Sequence, residues 1–421
     1  MSIFSYARSS NFIRHNGIFF FGAVAVGALN YVYYPVMGRL LDTISFGEVQ
    51  TLISLFVQST IFLSVLGLVT VNIVANYRST EQRDMVVREF EQLALLISVV
   101  LAVVAVVFAG QLAHFLHFHS EWPFVLLMAS MVVSVPFTFR SAFLRGRQQF
   151  GLVSAGNLIS AGGKLLFAVL FVLLGFGTKG AIGGLAAAQL VAFGLIAYWA
   201  TKAGLSRASS GSIIRLPKLP VILPELRYGM LVLIGSLIIT LQYSIDIVVV
   251  KHYFDPHTAG LYAGVATVAR TIFFATASIA MVLMSMVRLD AKPGVNRALG
   301  IKSVVMLVAV ALPITIVCVV QPDLVVSTLM GKSYIGAASL LPRLSITIFV
   351  ISLLNVIVSY YLALRRFAIT PLLLVGATIT YVLVLMRHAT LGAVVNNLLI
   401  GSLSMLVIFG IWIGAMRVRS V

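Results

Sequence analysis

The chain has 421 residues, of which 60% are hydrophobic and only 10% charged, with a formal net charge of +17. Soluble domains average roughly 45–50% apolar and about 25% charged residues, so a soluble protein of this length is excluded; a mean hydropathy of +1.07 agrees. The cations cluster in short loops without an RNA- or DNA-binding motif, so topology and anionic lipid explain them better than nucleic acid does.

Apolar runs of about 20 residues recur, which suits membrane-spanning helices and not the shorter alternating strands of a barrel. Twelve spans are expected, at about 17–38, 52–76, 93–115, 122–144, 152–175, 180–201, 228–250, 260–287, 301–320, 337–363, 368–386 and 391–415. The first run exceeds the roughly 7–15 apolar residues of a secretory signal and reads as a retained span. Spans five and six are joined by GFGTKGAIGG, which requires a tight turn. The polar segment 201–227 holds five cations and divides six spans from six. The expected organisation is an N-terminal six-helix lobe over 1–201, a cytoplasmic basic linker over 202–227 and a C-terminal six-helix lobe over 228–421.

Orientation follows from Lys and Arg. Of the 29, 21 fall in segments on the side of the N-terminus, six on the other side, and two, Lys164 and Arg270, within spans. This positive-inside bias places both termini in the cytoplasm. A small signature repeats between the halves. Asp42 and Gly47 follow span one in LDTISFGEV, and Asp255 and Gly260 follow span seven in FDPHTAGLY; each pair is 213 residues apart. With an even number of spans per half, the repeats are parallel.

Several stretches resemble one family. Phe46-Gly47-Glu48 follows the first span, and Leu144-Arg145-Gly146-Arg147-Gln148-Gln149-Phe150 closes the fourth. Asp246 sits late in the seventh, Ala259-Gly260-Leu261-Tyr262 opens the eighth, and Met330-Gly331-Lys332-Ser333-Tyr334 precedes the tenth. In order and spacing they resemble polysaccharide flippases of the multidrug/oligosaccharidyl-lipid/polysaccharide exporter superfamily, the O-antigen and exopolysaccharide repeat-unit translocases. The resemblance implies two six-helix lobes around a central cavity, alternating access, and an undecaprenyl-diphosphate-linked oligosaccharide moved across the bacterial cytoplasmic (inner) membrane. It also implies membrane lipid, a polysaccharide polymerase and chain-length components as partners. Lipid II flippases tend to carry an arginine in the first span, where this chain has Asn30. Drug exporters of the superfamily often carry a carboxylate there, and the nearest acid here is Asp42, beyond the span.

Two cations lie at mid-depth. At 1.5 Å per residue, Lys164 is about 18 Å from the inner end of span five, and Arg270 about 15 Å from the outer end of span eight. Both can neutralise a diphosphate as it crosses, Arg with bidentate donors. The alternatives are pairing with an internal acid or snorkelling along the stem. Arg140, Arg145 and Arg147 at the inner end of span four are candidates to capture the diphosphate, or plain topology anchors; Arg39 at the outer end of span one is a candidate for release. Asp246 is the one carboxylate inside an apolar run, and an acid in lipid needs a partner or a wet cavity. It shares a helical face with Gln242, four residues away, and Tyr243 lies beside them. Asp246 can bind H⁺ or Na⁺ as coupling ion, act as a gate, or pair locally with a cation.

His114, His117 and His119 read as an amphipathic interfacial segment and not as a metal site, and Cys318 as a packing residue. There is no P-loop, and no cofactor is expected. An enzyme such as a polysaccharide polymerase or ligase would need a large extracytoplasmic loop, and no loop is long. A cation-coupled multidrug exporter of the same superfamily is the main alternative, but it calls for an acid-lined cavity.

Overall fold

The computed structural model describes residues 10–76, 80–205, 219–288 and 293–418, and within these all regular structure is helical. The helices are α1 (Ser10–Leu40), α2 (Thr43–Asn76), α3 (Thr80–Val107), α4 (Ala109–Phe115), α5 (Trp122–Gly146), α6 (Phe150–Phe171), α7 (Gly177–Lys202), α8 (Leu219–Tyr253), α9 (Pro256–Met286), α10 (Pro293–Val320), α11 (Pro322–Leu329), α12 (Leu341–Ala363), α13 (Ile369–Met386) and α14 (Leu391–Val418). The all-α membrane class read from composition therefore holds. Among the described residues nine helices are long and apolar enough to cross a membrane, or ten if the bent pair within α9 is one span. The stretch Phe150–Lys202 counts once in that number. A break at Gly175 (φ 89°) and Gly177 (φ 50°) nevertheless turns the chain from α6 into α7, and glycine tolerates those left-handed angles. The tight turn expected in GFGTKGAIGG lies there.

Helix α8 begins at Leu219, nearer the N-terminus than the expected span at 228. Pro220 lies in its first turn, where a missing N–H costs no helical bond. Of the expected basic linker, residues 206–218, with Arg207, Arg215 and Lys218, lie outside the described residues, and nothing is described of the Arg227 side chain.

The chain divides into two compact units, Met1–Leu41 with Ser59–Met230, and Asp42–Gln58 with Leu231–Val421. The boundary falls inside α2, whose residues 43–58 belong to the second unit. In the first unit Val69, Phe90, Phe139, Phe143 and Ile196 form a buried cluster where the C-terminal ends of α2, α5 and α7 meet the N-terminal ends of α3 and α6.

In the second unit the repeated Asp…Gly signature has a physical cause. Asp42 caps α2, accepting from Ser45 N–H at 2.9 Å and from Ser45 Oγ at 2.7 Å. Asp255 caps α9, accepting from the N–H groups of His257 and Thr258. Each cap sits in front of a glycine one and a half turns later, and there the two helices cross. A Cβ on Gly47 would lie 2.8 Å from Gly260 Cα, and a Cβ on Gly260 would collide with the Thr43 carbonyl oxygen. Small residues let membrane helices approach this closely. Thr43 Oγ1 also meets His257 Nδ1 at 3.0 Å.

The other short motifs gather at the same crossing. Phe46 packs edge-on against Tyr334 at 5.7 Å between ring centroids, and the MGKSY turn that presents Tyr334 depends on Gly331 at φ 107°. Tyr334 also lies against Gly264, where a Cβ would strike its ring. The LRGRQQF stretch serves elsewhere, as the α5–α6 turn. Gln148 adopts φ 58°, the Gln149 N–H donates to the Leu144 carbonyl at 2.9 Å, and Gly146 packs on Val74.

Both caps titrate low. Partial burial pushes the Asp42 carboxyl up, but the hydrogen bonds from Ser45 outweigh it and hold it below the ordinary carboxylate range. Asp255 is held low chiefly by Thr258. A depressed carboxylate contributes stability that is present above its unfolded pKa and lost as pH falls through the folded value, so both caps should persist until below about pH 4. The crossing gives a sharper prediction. Gly260→Ala should lower the unfolding temperature in detergent, because overpacking costs roughly 1–3 kcal/mol. Gly194→Ala, where a Cβ meets nothing within 4 Å, should leave it unchanged or raised. Equal effects of the two substitutions would contradict the close crossing.

Candidate functional site

Arg83 and Lys164 in the first unit and Lys251 and Arg270 in the second are buried cations. Arg83 pairs with Asp84, and Lys251 interacts with Glu48 and Asp255. Lys164 and Arg270, the two at mid-depth, are compensated differently. In the second unit Arg270 is 5% exposed and lies at a 42° bend of α9, between Pro256–Ala269 and Thr271–Met284. No proline is present at the bend. Instead Thr267 Oγ1 donates to the Ala263 carbonyl and Thr271 Oγ1 to the Val268 carbonyl, the side-chain-to-backbone bonding that bends helices. From the bend the Arg270 Nη2 donates to Asp246 Oδ1 on α8, and the two form a buried ion pair. Tyr262, one helical stretch earlier on α9, donates from its hydroxyl to Asp246 Oδ2 at 2.7 Å. Asp246 thus has one cationic and one neutral donor, the compensation that a buried carboxylate requires.

The surrounding polar groups are less completely satisfied. Gln242 directs its Nε2 toward Thr380 Oγ1 on α13 at 3.3 Å and the Met405 sulfur on α14 at 3.2 Å, while its Oε1 is buried with no hydrogen-bond partner. The Arg270 Nε and the Tyr381 hydroxyl are likewise buried and unpartnered. Tyr243 stacks on Phe273 at 4.3 Å and 27°. The polar face expected for Gln242 and Asp246 therefore exists, but Gln242 turns toward α13 and α14 and Asp246 toward α9.

In the first unit Lys164 of α6 is 9% exposed. Its Nζ donates to Asn30 Oδ1 on α1 at 2.6 Å and lies 4.3 Å from the centre of the Tyr33 ring and 5.8 Å from that of Tyr34. An amide oxygen and two ring faces orient an ammonium, but neither carries a formal negative charge. Asn30 occupies the first span where lipid II flippases tend to carry arginine, and it holds a cation delivered from another helix. With the 213-residue offset of the signature, Tyr33 corresponds to Asp246, so the same repeat position faces the buried cation in both units.

The remaining candidates are more ordinary. Arg140 is 3.5 Å from Glu91 and lies over the Phe193 ring, so its charge has an acidic partner. Arg145 reaches back toward Thr138 and Gly67, with its Nε buried and unpartnered. Arg147 and Arg39 are exposed. His114 ends the short α4, and His117 adopts φ 52° in the turn after it. The residues that sequence reasoning did not single out are Tyr262, Tyr33, Tyr34 and Tyr381. Tyr262 was visible as part of AGLY, whereas nothing local marks the others.

The fold is that of transporters. The chain is similar to an inward-facing multidrug resistance MATE family transporter of the MOP superfamily, at 15% identity over 94% of this chain and 95% of that one, with a TM-score of 0.73. It is similar to the lipid II flippase MurJ in an inward closed conformation, at 12% identity over 94% and 87%, with a TM-score of 0.70. It is also similar to the eukaryotic MATE transporter AtDTX14, at 15% identity over 96% of each chain, with a TM-score of 0.62. No curated protein matches the chain. The family model for polysaccharide biosynthesis protein matches residues 36–339, and the chain belongs to that family. The family resemblance drawn from the short motifs is thereby confirmed.

The two kinds of compensation predict opposite responses to removal. Asp246→Ala leaves Arg270 buried without its counter-ion and should cost about 3–5 kcal/mol. Lys164→Met removes a buried charge that has no counter-ion and keeps much of its volume, so its unfolding temperature should be unchanged or higher. Thermal unfolding in detergent measures both; a large loss for Lys164→Met would make it a structural residue.

Proposed function

We propose that the protein is a flippase that moves undecaprenyl-diphosphate-linked oligosaccharide repeat units from the cytoplasmic to the outer leaflet by alternating access, for surface polysaccharide synthesis. Family membership supports the polysaccharide link, and the fold shared with MATE transporters and MurJ supports transport over catalysis. The observation that carries the reading is Lys164, a buried ammonium held by Asn30 and two tyrosine rings with no carboxylate partner among the described residues. A charge in that setting is costly unless an opposite charge arrives, and a diphosphate supplies one. Arg270 is the second diphosphate ligand on this reading, with Arg140, Arg145 and Arg147 as the receiving site and Arg39 as the releasing one. The protein works in the bacterial cytoplasmic membrane with both termini inside, is not an enzyme, and draws its energy from H⁺ or Na⁺.

The shared fold with multidrug transporters favours a second reading, a cation-coupled drug exporter. A site for cationic drugs needs unneutralised acid, whereas the buried carboxylates Asp246, Asp84 and Glu48 face Arg270, Arg83 and Lys251 respectively. In a strain lacking the native gene, Lys164→Ala and Arg270→Ala should each abolish surface polysaccharide while membrane levels of the protein persist. Normal surface polysaccharide in the Lys164→Ala strain would contradict the proposal.

A further inference from the structure

We propose that Asp246 and the diphosphate of the cargo are alternative counter-ions for Arg270, so that each cargo bound at Arg270 draws one proton onto Asp246. The inference rests on the flippase reading and adds a coupling stoichiometry to it.

Arg270 stays protonated throughout, because a guanidinium is not deprotonated in proteins. In the resting cluster its charge is cancelled by Asp246, and Tyr262 completes the carboxylate. An anion that takes the guanidinium removes the cation from Asp246. A carboxylate left buried with only a tyrosine hydroxyl beside it is too costly to remain ionised, and a buried group in that position neutralises instead. The proton comes from water and bonds to a carboxylate oxygen, so it offsets one unit of the negative charge that the anion brings.

Three features fit the exchange. The Arg270 Nε is already an unused buried donor, so the guanidinium has capacity for a second acceptor. Arg270 lies at the 42° bend of α9, where a change in bend moves the side chain relative to α8. Gln242 lies one turn before Asp246 with a buried Oε1 that has no partner, and a turn of its amide away from α13 and α14 would offer that acceptor to a protonated carboxyl.

Among the described residues, no other cation is recorded in contact with Asp246. On α9 the titratable neighbours are Arg270 itself and Tyr262. Tyr381 of α13 interacts electrostatically with Asp246, and Tyr243 of α8 with Arg270. All three partners apart from Arg270 are tyrosines. From α2, Gln58 reaches Ser244 and is neutral, while Glu48 interacts with Lys251, further along α8.

The test is the pH dependence of binding, using purified full-length protein and a farnesyl diphosphoryl monosaccharide, a diphosphate diester that stays fully ionised near neutral pH. Linkage makes the slope of log affinity against pH equal to the number of protons taken up. Between pH 6 and 8 the wild type should lose about tenfold in affinity per pH unit, and Asp246→Asn should bind with a slope near zero. If Asp246→Asn does not accumulate, calorimetry of the wild type in two buffers of different ionisation enthalpy reads the same quantity, and about one proton per ligand is expected. Binding with equal slopes in wild type and Asp246→Asn, or wild-type binding without proton uptake, would overturn the exchange and leave the flippase reading intact. Failure of the wild type to bind the probe at any pH would overturn both.

Discussion

An ionised side chain in hydrocarbon has no water to solvate it, and the effective cost of several kcal/mol per ion is a large part of the stability of an ordinary domain. Each such group needs a counter-charge, a full set of hydrogen bonds, or a ligand that supplies one. Around Asp246 and Arg270 the protein uses the first two together, with an ion pair completed by Tyr262. Around Lys164 it uses only neutral dipoles and ring faces. The difference divides the two mid-depth cations into one that is balanced at rest and one that is not.

The same constraint governs the backbone. The two Asp caps satisfy orphan N–H groups at the starts of α2 and α9. Having capped them, the chain brings these pseudo-equivalent helices together at Gly47 and Gly260, close enough that a single methyl group would not fit. Phe46, Tyr334 and Gly264 then pack around the crossing. Motifs scattered over nearly 300 residues are thus parts of one joint in the second unit, and their chemistry is that of helix packing. The groups with chemistry suited to an anion lie deeper along the helices.

Much of the fold was legible because its signals are local. Span lengths come from hydropathy, the α6–α7 turn from its glycines, and the repeat from two Asp…Gly pairs at one offset. The cause of that repeat was not legible, since a glycine crossing is formed by two helices more than 200 residues apart. The candidate site was legible by residue and not by pairing. Lys164, Arg270 and Asp246 stand out as charges in apolar runs, but depth along a helix does not reveal which neighbours face each other. Asp246 late in span seven and Arg270 at mid-depth in span eight carry no local sign of pairing, yet α8 and α9 bring them into contact. The tyrosines were invisible because an aromatic residue in an apolar span is usually packing, and only the position of a cation over its face gives it another role.

The central claim is that the unbalanced cation of the first unit exists to meet an anionic lipid headgroup. The direct measurement is translocation in proteoliposomes, with a fluorescent short-chain prenyl-diphosphoryl oligosaccharide and a quencher confined to one side. The account predicts that the wild type equilibrates this lipid across the bilayer while a phosphatidylcholine carrying the same fluorophore stays in place, and that Lys164→Met, though folded, moves neither. Transport of the diphosphate lipid by Lys164→Met at the wild-type rate would contradict it, as would a wild type that ignores the lipid and expels a cationic dye instead.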